Sequence, residues 1–215
     1  TAVGYNAGTA ITTGIRNVLI GGLAGDALTT GSSNIAIGHQ ALSTEDAHGL
    51  NVAIGHNALA SQNAGADAYN VAIGHLAGED ITTGVYNTLI GGNAGDALTT
   101  GGKNIAIGYE ALSSEDAHGL SVAIGHRALQ DQNAGADAYN VAVGYQAGKE
   151  VTTGTENTIV GGEAGDALTT GVQNVAIGRG ALGSEDTAGK AVAVGYAALN
   201  AQNAGSDSYN VAVGY

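Results

Sequence analysis

The chain is a triple repeat: the pattern of residues 1–70 recurs at 71–140 and again at 141–210, and a shorter unit recurs inside each. The short unit is marked by a glycine that closes an aliphatic triplet: Gly4, Gly21, Gly38 and Gly55, then Gly74, and so on to Gly214. The spacings run 17, 17, 17 and 19, and that set occurs three times. A unit this short cannot bury a hydrophobic face alone, so it must stack on its neighbours into a quasi-one-dimensional rod. The expected organisation is one repetitive segment over 1–215, with super-repeats at 1–70, 71–140 and 141–210. Residues 211–215 open a further coil. A rod of this kind spans, presents or adheres; no enzymatic activity is expected, and no catalytic or cofactor-binding residue is assigned.

Composition sharpens this. The chain has no Cys, Met, Trp, Phe or Pro. Disulfides and thiolate metal sites are therefore excluded. Glycine accounts for 37 of 215 residues, but neither the every-third-residue period nor the proline of collagen is present. The core must be thin and built of Ala, Val, Ile and Leu. The formal charge is −13, so the chain lacks the cationic footprint that nucleic acids and anionic membranes require. No apolar run is long enough for a transmembrane helix. The acidity fits a rod kept soluble by its own charge. Both ends cut into a repeat, and stacked repeats need caps. This predicts a segment of a longer fibre, or units that continue end to end.

Each coil can be read from its glycine. Before it stands a phrase such as Asn70-Val71-Ala72-Ile73, a short β-strand by its branched content. Three residues after it stands Ala, as at Ala24, Ala41 and Ala77. Confinement of Ala to one register predicts an inward turn with room only for a methyl group. Half of the coils continue with Thr-Thr-Gly, as in Ile11-Thr12-Thr13-Gly14, which reads as a second strand. The others continue with polar loops such as Ser43–Gly49. The 19-residue coil carries its extra residues around Ala66-Asp67-Ala68-Tyr69, expected to bulge outward. Asn precedes most strands, predicting either an amide ladder or a residue tolerant of the turn; Ser121 and Ala191 interrupt it. The architecture expected is all-β: a parallel β-solenoid, or β-roll, of about 12 coils and roughly 58 Å in length.

Strand side chains alternate between two faces. One carries Ala36, Ala53, Ala72, Ala106 and Ala123, with Leu19, Leu89 and Ile159 in the same register. A solvated face would show Thr, Lys or Glu, so this small apolar face is expected to pack against a partner.

Candidate chemistry is sparse. Gly178-Arg179-Gly180-Ala181-Leu182-Gly183 matches a dinucleotide-binding pattern, but the equivalent registers elsewhere do not, and no helix is expected to follow. His39, His56 and His75 share the register just after the glycine, where Tyr109, His126, Tyr145, Arg179 and Tyr196 also stand. That mixture favours a stack of planar side chains; a metal bound between imidazoles is the alternative. Carboxylates recur at Asp26, Asp96 and Asp166, at Glu45-Asp46 and its equivalents, and at Asp67, Asp137 and Asp207. Asp26, Asp96 and Asp166 follow a Gly-Gly run like that of calcium-binding rolls and are candidate calcium ligands; solvated acidic loops are the plainer reading. His48 and His118 follow the acidic pair, but Ala188 stands in the third block.

The phrase Asn-Val-Ala-Ile-Gly with Ala three residues on resembles the head repeats of YadA-type trimeric autotransporter adhesins. The longer form, Thr-Thr-Gly-x-x-Asn-x-x-Ile-Gly-x-x-Ala, resembles repeats in bacteriophage tail fibres. The likeness covers essentially the whole chain, although YadA-type units are shorter than the coils found here. It implies a left-handed roll, a homotrimer, and an extracellular, cell-surface or virion-borne rod that contacts a receptor or glycan. The function expected is therefore an adhesive fibre shaft. The alternative is a subunit of an extracellular filament of solenoids stacked end to end. Ice binding would need a Thr array in every coil, and polysaccharide cleavage would need a carboxylate cluster on one long face.

Overall fold

A computed structural model describes residues 1–215. It contains thirteen short strands and no helix. They are β1 (Ala2–Val3), β2 (Val18–Ile20), β3 (Ile35–Ile37), β4 (Val52–Ile54), β5 (Val71–Ile73), β6 (Thr88–Ile90) and β7 (Ile105–Ile107). They continue as β8 (Val122–Ile124), β9 (Val141–Val143), β10 (Thr158–Val160), β11 (Val175–Ile177), β12 (Val192–Val194) and β13 (Val211–Val213). All pair in parallel, in sequence order, into one sheet. The register is that of the repeat: Ala36 lies beside Ala53, and Ala53 beside Ala72. The protein is a parallel β-solenoid.

There is one strand per coil, not two. Thr-Thr-Gly segments are bends, although Thr12 N–H donates to Thr29 O at 2.9 Å across the coil step. The flanking residues explain this. Arg16, and Tyr86 in a later coil, take φ near +60° three residues past the threonines, breaking the extended path. The loop of the 19-residue coil does bulge: Asn63, Gly65, Ala66 and Asp67 are exposed, while Ala68 tucks back in.

The sheet's orientation reverses the sequence expectation. The Ala face is the interior: Ala36, Ala53, Ala72, Ala106 and Ala123 are fully buried, with Leu19, Leu89 and Ile159 among them. The Val and Ile neighbours face outward; Ile20, Ile73, Ile105 and Ile177 are exposed. Volume decides it. So short a coil encloses so little space that the strand's inner position takes a methyl group in most coils, and branched side chains are left outside.

The core also explains the long super-period. In half the coils the residue after the corner Ala is Gly, and the core is filled from the opposite wall by Leu28, Ile81, Leu98, Val151 or Leu168. In the other half the corner supplies Leu42, Leu59, Leu112, Leu129 or Leu182, and the opposite wall carries buried Glu45, Gln62, Glu115, Gln132 or Glu185. A Cβ added at Gly95 would stand 2.8 Å from both Leu89 Cδ2 and Leu98 Cδ1. Glycine corners and large inner residues thus alternate to keep the volume constant.

The buried asparagines tie coil to coil. Oδ1 accepts from the backbone N–H at the same register of the next coil, as from Asn87 to Asn70 at 2.8 Å; Ser121 and Ala191 supply that N–H to Asn104 and Asn174. In most coils the amide nitrogen donates to a carbonyl of the next turn, as Asn70 does to Gly84 at 2.7 Å, whereas that of Asn51 has no partner. The ladder is therefore built from side chain to backbone, not amide to amide.

Candidate functional site

Three surface features run along the rod. The first is the outward sheet face. Two columns of aliphatic residues, Val18, Ile35, Val52, Val71 and onward, and Ile20, Ile37, Ile54, Ile73 and onward, extend the length of the sheet. Thr88 and Thr158 are their only polar members. No charged residue interrupts them. This is the unpartnered apolar face, on the opposite side of the sheet from the one the sequence suggested.

The second is the ring column just after the strand. His39, His56 and His75 stack with centroids 5.5 and 5.2 Å apart. Tyr109, His126 and Tyr145 stack at 5.5 and 5.4 Å, and Tyr196 meets Tyr215 at 5.3 Å. Stacking is thus the arrangement adopted, at the spacing the coil imposes. A second column lies at the other end of the strand, where Tyr69 stacks on Tyr86 at 5.3 Å.

The third is the acidic loop. Glu45, Asp46 and His48 converge, as do Glu115, Asp116 and His118, each set offering ligand atoms within 4.8 Å of one another. His48 Nδ1 stands 3.7 Å from Glu45 Oε1. The third block separates structure from chemistry here. Glu185 Oε1 accepts from Ala188 N–H at 3.0 Å, just as Glu45 Oε1 accepts from His48 N–H at 3.1 Å. The buried carboxylate closes the loop with or without the imidazole. Burial raises the Glu45 carboxyl above its ordinary 4.5, opposed by the His48 N–H bond.

Asp26, Asp96 and Asp166 stand four coils apart, roughly 19 Å, so the structure does not bring them together. Calcium takes six to eight oxygens, and each aspartate would need a full set of its own. Asp26 Oδ1 and Asp96 Oδ1 are buried without a hydrogen-bond partner. Burial raises the Asp96 and Asp166 carboxyls above 3.8. Asp67 and Asp137 serve the bulge: each accepts from a loop N–H, Gly49 at 3.0 Å and Gly119 at 3.1 Å. Lys190 is paired with Asp207. Beside Asp137 a hollow of about 210 Å³ opens over Val85, Thr100, Gly102, Lys103 and Leu120.

Sequence reasoning found the ring column and the acidic loops. It missed the outward Val/Ile face, because both faces of the strand are apolar and hydropathy does not separate them. Residue volume was the signal available. No protein-family model, curated protein or solved structure matches the chain.

Proposed function

We propose that the chain is the shaft of an adhesive fibre, of the kind carried by a phage tail or a bacterial surface. It associates with copies of itself along the Val/Ile face, as a trimer, and presents its loops outward to a receptor. The observation that carries this reading is the outward sheet face, an aliphatic strip that runs the length of the rod. Twelve coil steps of about 4.8 Å and a strand about 10 Å wide give roughly 600 Å² per chain. Stable interfaces bury about 800 Å² per partner, so the strip alone supplies about three quarters of that scale. Contiguous apolar patches of this size mark association surfaces. A partner with the same coil repeat matches a periodic strip along its whole length. The −13 charge and the loops then fall outside the contact, where they keep assembled rods apart. Repeated loops on an associated rod bind by avidity, which suits an extracellular or virion-borne adhesive role.

The test is the solution mass of the chain by light scattering. The expected mass is three times 20.9 kDa. A stable monomer at micromolar concentration would contradict the trimer. Open-ended growth with concentration would favour the end-to-end filament instead.

A further inference from the structure

The column of planar side chains is interrupted by a glycine once in every super-repeat. Its register reads Tyr5, Gly22, His39, His56, His75, Gly92, Tyr109, His126, Tyr145, Gly162, Arg179, Tyr196 and Tyr215. Gly22, Gly92 and Gly162 differ from the other glycines of the chain. Elsewhere a glycine either takes a positive φ or lies so close to a neighbour that a Cβ would come within 3.0 Å. These three do neither. A Cβ at Gly92 would stand 3.4 Å from Tyr109 Cδ2 and 4.0 Å from His75 O. At Gly22 the same distances fall to His39 Cδ2, 3.4 Å, and Tyr5 O, 4.0 Å. At Gly162 the nearest atom is Tyr145 O, 3.9 Å away. Neither backbone conformation nor space requires glycine here. What glycine does is leave a rung of the ladder empty.

The empty rung is a slot with walls. His75 and Tyr109 stand two coil steps apart, about 10 Å. A flat ring entering midway would lie about 5 Å from each wall, inside the roughly 4.5–7 Å range over which aromatic faces attract. This reproduces the 5.2–5.5 Å spacing of the filled rungs. The Gly22 slot has Tyr5 and His39 as walls, and the Gly162 slot has Tyr145 and Arg179. Glu110, the residue after Tyr109, is paired with Arg127 at 2.7 Å, and the chain as a whole carries a formal charge of −13, which disfavours an anionic ring.

We propose that Gly22, Gly92 and Gly162 are the floors of three binding slots, each taking one flat aromatic ring without negative charge between the planar side chains of the neighbouring coils. The slots repeat about every 19 Å along the rod, so a ligand carrying several such rings gains by avidity. The ring belongs to a free small molecule or to a polypeptide side chain.

Tryptamine is a direct probe, because the chain has no Trp and indole emission comes from the probe alone. It is titrated into the full chain by fluorescence anisotropy. The expected result is saturable binding, with indole-3-acetate, the same ring with the opposite charge, binding more weakly. The triple variant Gly22→Tyr, Gly92→Tyr, Gly162→Tyr fills the rungs; it should keep the circular dichroism spectrum and bind about tenfold less tightly. Tyr109→Ala, which removes an exposed wall and no core atom, should weaken binding at the central slot. Competition by the tripeptide Lys-Trp-Lys assigns the ring to a side chain; failure to compete assigns it to a free molecule. Absence of tryptamine binding, equal affinity in the filled variant, or unfolding of the filled variant would overturn the proposal.

Discussion

The side-chain oxygen of Asn87 accepts a hydrogen bond from the backbone N–H of Asn104, 2.9 Å away in the next coil. Its amide nitrogen donates to Gly101 O at 2.9 Å. Both asparagines are sealed from water. Asn87→Ala would leave a buried N–H and a buried carbonyl unsatisfied, at about 1–3 kcal/mol each. Chemical denaturation of this variant should show a loss of about 2–5 kcal/mol.

Two glycines make opposite predictions. Gly125 has φ +138°, and a Cβ there would fall 2.1 Å from Gly144 O in the next coil. Gly125→Ala must push two coils apart and should cost about 3 kcal/mol or more. Gly92 has neither constraint, and Gly92→Ala should be neutral or stabilising by about 0.4–1 kcal/mol through the unfolded chain. Thermal unfolding of the two variants side by side checks both.

Leu89 occupies an inner strand position that holds Ala in the coils on either side, Ala72 and Ala106. It reaches beneath Gly78 and Gly95, whose added Cβ atoms would stand 2.7 and 2.8 Å from its methyl groups. Leu89→Ala therefore opens a cavity that no neighbour can fill. The expected cost is about 2–5 kcal/mol in equilibrium unfolding. Ala106→Leu should also destabilise, because its coil already draws Leu112 from the corner.

Burial raises the carboxyls of Asp96 and Asp166 above 3.8 and that of Glu45 above 4.5. A folded-state value above the unfolded one favours folding fully below the unfolded value. That contribution is lost as pH rises through the folded value. The thermal midpoint should therefore rise as pH is lowered from neutral toward 4.5, against the usual direction of acid denaturation. Glu110 is held low by its bond to Tyr109 and acts oppositely, but solvent screens it at the surface and its share is small. Asp96→Asn should raise the midpoint at neutral pH and flatten the profile.

Much of this fold is legible in the sequence because a repeat reports geometry directly. Glycine spacing fixes the coil length, the triplet before it gives the strand, and the Ala three residues on, exemplified by Ala41 and Ala111, is buried as the register implies. The bulge around Asp67 follows from two extra residues. Thr12-Thr13 misleads because Thr favours strands and does bond across coils, yet left-handed residues such as Arg16 bend the path. The inward face misleads for a different reason. Ala106 and Ile107 are both apolar, and a partner face cannot be told from a core face by hydropathy. Only the volume available inside so short a coil separates them. The glycine gaps in the ring column are visible in the sequence, but their meaning depends on knowing which glycines the backbone requires.

Ala lines the interior and Ile the outer face of one sheet, the face proposed to associate, and a single strand tests this most directly. Ala106 and Ile107 are adjacent in β7, the first fully buried and the second partly exposed. Ala106→Glu and Ile107→Glu should be compared by circular dichroism and light scattering. Ala106→Glu is expected to lose the folded spectrum, because a carboxylate with no partner enters the core. Ile107→Glu should keep the spectrum while its mass falls below that of the parent chain. A folded Ala106→Glu beside an unfolded Ile107→Glu would contradict this assignment of the two faces.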